Sequence, residues 1–177
     1  FGSKITVPGT GIVLNNEMDD FSVDADTPNY WETVGTAANA VVPGKRPLSS
    51  MMPTILLKDG RAVMAIGSPQ GTMIISAVLH SLLNAIDFGF DAERAVQAPR
   101  FHHQWQPDRL SLEPEFPLDV RRRLQELGYE LQDRDFMGAA ELIIFDPQSC
   151  MFWGGADGRR DSKAAGANAR AILAPSE

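Results

Sequence analysis

Two short apolar runs, residues 54–58 and 61–66, flank Asp59-Gly60. That dipeptide is the strongest short hairpin signal in the chain, because both residues tolerate the positive φ that a two-residue β-turn needs. After the connector Gly67-Ser68-Pro69-Gln70-Gly71, residues 72–88 read as one long helix. Its apolar positions run nearly all the way round, which predicts a helix buried in a layer and not an amphipathic surface helix. A hairpin and a buried helix joined by so short a connector must stack on each other. The expectation is an α+β fold, a layered sheet with helices outside.

The rest of the chain adds elements of the same kind. Residues 1–21 hold turn chemistry around a short strand at 12–14, and residues 22–52 form a long polar loop with a Tyr30-Trp31 pair, exposed-looking in sequence. A second helix at 92–97 stops before Pro99, and 110–112 reads as a strand. Residues 117–127 read as an amphipathic helix with Leu118, Val120, Leu124 and Leu127 inside and Gly128 as its C-cap. Strands are expected at 129–132, 140–145 and 151–153, with an Asp146-Pro147 turn between the last two.

Composition excludes several function classes. A net charge of −7 argues against a polyanionic partner such as nucleic acid. The clusters Arg121-Arg122-Arg123 and Arg159-Arg160 read as a solvated helix face and a surface turn. One cysteine, Cys150, excludes an internal disulfide and a multi-cysteine zinc site; on a predicted strand it reads as a small buried hydrophobe. The apolar stretch at 73–86 carries Ser76, His80, Ser81 and Asn84 and is too short to span a bilayer. The chain opens on Phe1 without an initiator Met, which suggests processing or truncation.

Four segments can carry chemistry. In Asn15-Asn16-Glu17-Met18-Asp19-Asp20-Phe21, a turn or single helical turn aims Glu17 and Asp20 at one point, and two converging anions call for a metal or an ammonium. Taken alone, the segment fits a polar loop with Asn/Asp caps as well. In Pro47-Leu48-Ser49-Ser50-Met51-Met52-Pro53, two hydroxyls between rigid flanks suit a carboxylate, or simply a turn. The connector 67–72 leads into a helix N-terminus, whose unpaired N–H groups can hold an oxyanion or phosphate; it lacks the Lys and the spacing of a P-loop. In Arg100-Phe101-His102-His103-Gln104-Trp105 the adjacent histidines point to opposite sides of an extended segment, which suits structural hydrogen bonding and not metal chelation. No cofactor motif and no metal-ligand spacing is found, and no residue reads as an activated nucleophile.

In this order, these segments resemble the small subunit of the gamma-glutamyltranspeptidases. The matching strings are residues 14–21, Lys45-Arg46-Pro47-Leu48-Ser49-Ser50-Met51 with Pro53-Thr54, Gly67-Ser68-Pro69 with Gly71, and residues 98–105. The resemblance implies an N-terminal-nucleophile hydrolase, a four-layer αββα sandwich assembled from two subunits of one self-cleaved precursor. It implies gamma-glutamyl transfer or hydrolysis on glutathione-like amides, without a cofactor, through an N-terminal Thr upstream of Phe1. The partners it implies are the large subunit of the same precursor, a gamma-glutamyl donor, and water or an amino acid or peptide as acceptor. A related acylase or a non-catalytic binding domain is the alternative. The resemblance gives Glu17 and Asp20 to the substrate ammonium and Ser49 and Ser50 to its carboxylate. It gives the backbone N–H groups of Gln70 and Gly71 to the oxyanion, and Tyr30 or Trp31 to a lid. A periplasmic or secreted location is implied, with the cytoplasm as the alternative. Gln70 stands where the family usually has Gly; a negative φ is expected there, with the Gln amide projecting into the site as an extra donor.

Overall fold

The computed structural model describes residues 2–24 and 26–166. A four-stranded antiparallel sheet has the order β1–β2–β6–β7, with β1 Thr54–Lys58, β2 Arg61–Gly67, β6 Glu141–Asp146 and β7 Met151–Ala156. Asp59 and Gly60 take φ of +52° and +76°, and so close the expected hairpin between β1 and β2. A smaller sheet joins β3 (Phe101–His102), β4 (Leu110–Leu112) and β5 (Leu131–Asp133) in that order, its last pair parallel.

Helices α1 (Met73–Ile86) and α2 (Ala92–Gln97) cover one face of the larger sheet. Opposite residues of an antiparallel pair share a face, so the registers Ile66↔Leu142 and Met64↔Ile144 set those four toward the helices. Ile66, Leu142, Ile74, Val78, Ala92, Ala95 and Val96 form the core, and each large aliphatic buried there contributes about 1.5–3 kcal/mol. The register Ile55↔Ala65↔Ile143 defines the other face, where Ile55 (67% exposed), Ile143 (48%) and Phe152 (65%) meet no other layer among the described residues. Gly155 lets α2 approach β7: a Cβ there would lie 2.1 Å from the Ala92 carbonyl oxygen. Apart from the smaller sheet and α3 (Leu118–Glu126), the described chain is thus one helical layer on one sheet.

Several expectations change. Helix α1 is buried on one side only, since Ile75, Leu79, Leu83 and Ile86 are exposed. Helix α3 (Leu118–Glu126) has no buried residue; Leu118, Val120 and Leu127 face solvent and Leu124 is half-buried. The amphipathic spacing is present, but α3 packs only on the short β5 and finds little apolar surface to cover. The strand at 12–14 reduces to a single bridge between Thr6 and Val13. Cys150 is exposed in the β6–β7 turn with φ +55°, because the strand begins one residue later. Arg159 does lie in a turn between exposed neighbours, but its side chain folds inward and pairs with Glu113 and Asp157.

Candidate active site

Glu17 and Asp20 stand at the two ends of one 3-10 turn. Asn15 and Asn16 shape it: Glu17 N donates to Asn15 Oδ1 at 3.1 Å, and Asn16 Nδ2 to Asp19 Oδ2 at 3.1 Å. Glu17 is exposed and Asp20 buried. Burial pushes the Asp20 carboxyl above its usual range and the facing Glu17 adds to this, while the Trp31 indole N–H acts the other way. A cation between the two carboxylates would reverse the shift.

Two asparagines that the sequence does not single out hold this turn. Asn39 Nδ2 donates to the Asp20 carbonyl at 2.7 Å, and its Oδ1 accepts from Leu48 N at 2.8 Å. It therefore ties the acidic turn to the start of the Ser49-Ser50 segment. Asn29 Nδ2 donates to the same carbonyl at 3.2 Å, and its Oδ1 accepts from Trp31 N and Thr33 N. Both asparagines are buried, each bridging backbone groups remote in sequence. Ser50 is buried, whereas Ser49 is exposed and accepts from Met51 N at 3.2 Å.

The turn before α1 is built differently from the expectation. Gln70 has φ +101° and Gly71 φ +53°. The Gln70 side chain does not project into the site: Nε2 donates to the Phe136 carbonyl at 3.1 Å and Oε1 accepts from Gly138 N. Ser68 Oγ accepts from Ala139 N at 3.1 Å, so the 136–139 loop is stitched to the turn twice. A non-glycine residue at positive φ is strained by roughly 1–2 kcal/mol, and two hydrogen bonds worth about 0.5–1.5 kcal/mol each offset that. The carbonyls of Gln70 and Gly71 accept from Met73 N and Ile74 N and so start the helix. The N–H groups of Gln70, Gly71 and Thr72 find no acceptor among the described residues. Three donors in a row at a helix N-terminus are able to hold an anion.

Trp31 lies across this turn. A Cβ on Gly71 would sit 2.3 Å from Trp31 Cε3, so glycine is required for the ring to rest there. Tyr30 stacks edge-on against Trp31 at 4.9 Å and is otherwise exposed. The backbone of the loop is held by Gln104, whose Nε2 donates to the carbonyls of Trp31 (3.1 Å), Glu32 (3.1 Å) and Gln106 (3.2 Å). Three carbonyls around one atom fix it as the nitrogen. Gln104 Oε1 then accepts from Thr72 Oγ1 at 2.8 Å and from His102 Nε2 at 2.9 Å. His102 Nδ1 accepts in turn from Ser76 Oγ at 2.7 Å, and burial holds the ring below its usual pKa and hence neutral. The second histidine, His103, turns outward to Asp108 at 3.0 Å. The histidine pair is used for structural hydrogen bonding, as its opposite-facing geometry predicts.

Comparison with known proteins gives the family. Residues 1–167 match the gamma-glutamyltranspeptidase family. The chain belongs to that family. It is 45% identical over 152 residues to a glutathione hydrolase proenzyme of Escherichia coli, covering 86% of this chain and 26% of that protein. It thus spans about a quarter of the length of such curated relatives. Among solved structures it resembles gamma-glutamyltranspeptidase from Pseudomonas nitroreducens complexed with L-DON, with TM-score 0.85 and 37% identity over 95% of this chain and 88% of that one. It also resembles a cephalosporin acylase from Bacillus halodurans, with TM-score 0.76 and 30% identity over 93% of this chain and 29% of the other. These neighbours carry the N-terminal-nucleophile hydrolase fold, and the helical layer on one sheet is half of its αββα stack. Gln70 is accommodated in its turn through its clamp on the 136–139 loop.

Proposed function

We propose that this chain is the substrate-binding small-subunit part of an enzyme that hydrolyses or transfers the gamma-glutamyl group of glutathione-like amides. The observation that supports the reading is the placement of Trp31, whose ring rests on Gly71 in the turn of unpartnered N–H groups while its backbone is tied through Asn29 to the Asp20 carbonyl. Glu17 and Asp20 hold the donor's α-ammonium, Ser49 and Ser50 its α-carboxylate, and the N–H groups of Gln70 and Gly71 its γ-carbonyl oxygen. Trp31, flanked by Tyr30, closes over them.

The nucleophile is the hydroxyl of an N-terminal Thr supplied by a segment preceding residue 1. Its oxygen attacks the γ-carbonyl, the amide C–N bond breaks and the leaving amine takes a proton. Water or an acceptor amine then displaces the Thr oxygen. The turn donors stabilise the oxyanion in both steps. The large subunit of the same precursor covers the apolar sheet face of Ile55, Ile143 and Phe152, an exposure that supports a missing layer. No helix of the described residues is long and apolar enough to cross a membrane. The family resemblance supports a periplasmic or secreted location, with the cytoplasm as the alternative.

Asp20→Ala in the complete enzyme tests the reading. Losing one partner of a partly buried ammonium–carboxylate contact costs about 2–5 kcal/mol. kcat/KM on a gamma-glutamyl anilide should fall roughly 30-fold or more. A glutaryl anilide, which has no amino group, should be affected far less. Equal losses on both donors would assign Asp20 to the fold and favour the acylase reading.

A further inference from the structure

His102 ends β3 and is buried between α1 and the loop that carries Gln104. Burial keeps the ring neutral, so it carries a single N–H. Its two partners decide where that hydrogen sits. Nε2 faces Gln104 Oε1 at 2.9 Å, an amide oxygen that only accepts, so Nε2 is the donor. Nδ1 is then the bare nitrogen, and it receives the Ser76 hydroxyl at 2.7 Å. Ser76 is a residue of α1, so the ring is anchored to a helix and not to the loop it contacts.

Gln104 lies in that loop and uses both ends of its amide. Oε1 collects the His102 N–H and, at 2.8 Å, the hydroxyl of Thr72, the residue that precedes α1. Nε2 gives to the carbonyls of Trp31 and Glu32. An amide is planar, so a rigid donor at its oxygen end also sets the direction of its two N–H bonds. The strand those bonds hold is under strain: Glu32 has φ +60°, a region that a side chain disfavours. Trp31, next to it, rests its ring on Gly71 of the turn. We propose that His102 is a positioning residue for the reaction: its Nε2–H aims the Gln104 amide at the Trp31 and Glu32 carbonyls and so keeps Trp31 over the oxyanion turn. It acts through Gln104 and touches no substrate atom. The inference rests on the reading of Trp31 as a lid over that turn.

In the complete enzyme, two substitutions separate the two hydrogen bonds of the ring. His102→Gln extends a side-chain N–H to about the reach of Nε2 and keeps the donor to Gln104. His102→Asn is shorter, keeps an acceptor for Ser76 and loses that donor. His102→Asn should raise KM for a gamma-glutamyl anilide about three- to tenfold, the scale of one neutral hydrogen bond, with kcat within about twofold. His102→Gln should return KM to within about twofold of the wild type. Combined with Gln104→Leu, His102→Asn should change KM no further, because the group it acts through is gone. Equal KM values for the two His102 variants, a full additional rise in the Gln104→Leu background, or failure of both variants to fold would make His102 a structural residue and overturn the proposal. Amide exchange reads the same device without turnover. His102→Asn should speed exchange several-fold at Trp31, Glu32 and Thr33, whose N–H groups all bond to Asn29, and leave α1 protected. Unchanged exchange at those three residues rejects the proposal. A wild-type enzyme inactive on gamma-glutamyl amides, by contrast, fails the proposed function alone, and the exchange result still decides the role of His102.

Discussion

At the scale of single residues, Gln70 has two opposed effects that substitutions can separate. Its backbone sits at φ +101°, where a side chain is strained, and its amide clamps the Phe136 and Gly138 backbone. Gln70→Gly removes the strain together with the clamp, while Gln70→Ala removes the clamp and keeps the strain. Gln70→Ala should therefore be the less stable variant, by about 1 kcal/mol. The proposed oxyanion donors are backbone groups in every case, so Gln70→Gly should keep activity within about tenfold. Removing a donor outright costs roughly 10²–10³. Equal melting temperatures for the two variants would mean that position 70 carries no strain, and a hundredfold loss in Gln70→Gly would make the clamp essential to the turn. Local propensity gives no access to this clamp. The family resemblance alone marks Gln70 as standing where a Gly is usual; the loop that makes it tolerable is contributed from Phe136 and Gly138, far along the chain.

At the scale of elements, the proposed lid is a loop held by a few side chains. Asn29 fixes it from within and Gln104 from outside, while Arg109 pairs with Glu32 at its end. Replacing Gln104 by Leu removes the donors to the carbonyls of Trp31 and Glu32. Two neutral hydrogen bonds contribute about 1–3 kcal/mol together. Amide exchange in residues 26–34 should accelerate roughly ten- to hundredfold, with α1 and the large sheet unaffected. KM for the donor should rise more than kcat falls, because closure precedes chemistry. Exchange that speeds up throughout the protein would instead make Gln104 a general fold residue. The elements themselves were legible where pattern and turn chemistry agree, as in the Asp59-Gly60 hairpin and the stop of α2 before Pro99. They were misread where burial was inferred from periodicity alone: the leucines of α3 have helical spacing but no layer to cover. The lid's anchors were hidden because asparagine and glutamine in a polar loop look the same whether they bridge remote backbone or face water.

At the scale of the whole molecule, four buried or half-buried charges fasten the two sheets together. Arg100 and Asp157, 1% and 0% exposed, meet at 2.6 Å, and Asp157 also accepts from Ala140 N at the edge of β6. Glu113 accepts from Arg100 N and from the Arg159 guanidinium, which reaches on to the carbonyls of Val96 and Ala98. The smaller sheet, the end of α2 and the segment after β7 thus share one neutral cluster, which the sequence presented only as scattered charges. Breaking a buried pair by removing one partner typically costs about 3–5 kcal/mol, so Asp157→Asn should lower the melting temperature strongly near neutral pH. The same carboxylate sets a pH dependence. Burial alone would raise the Asp157 pKa, but the Arg159 N–H and the Arg100 guanidinium outweigh it and hold it below the usual carboxylate range. A depressed folded pKa gives stability that is fully present above the unfolded value of about 3.9 and is lost as pH falls through the folded value. The stability gap between wild type and Asp157→Asn should accordingly be widest near about pH 7 and close progressively below about pH 4. Thermal melts of both proteins across that range measure it, and a gap that stays constant down to about pH 3 would show that Asp157 is not the group whose charge locks the sheets together.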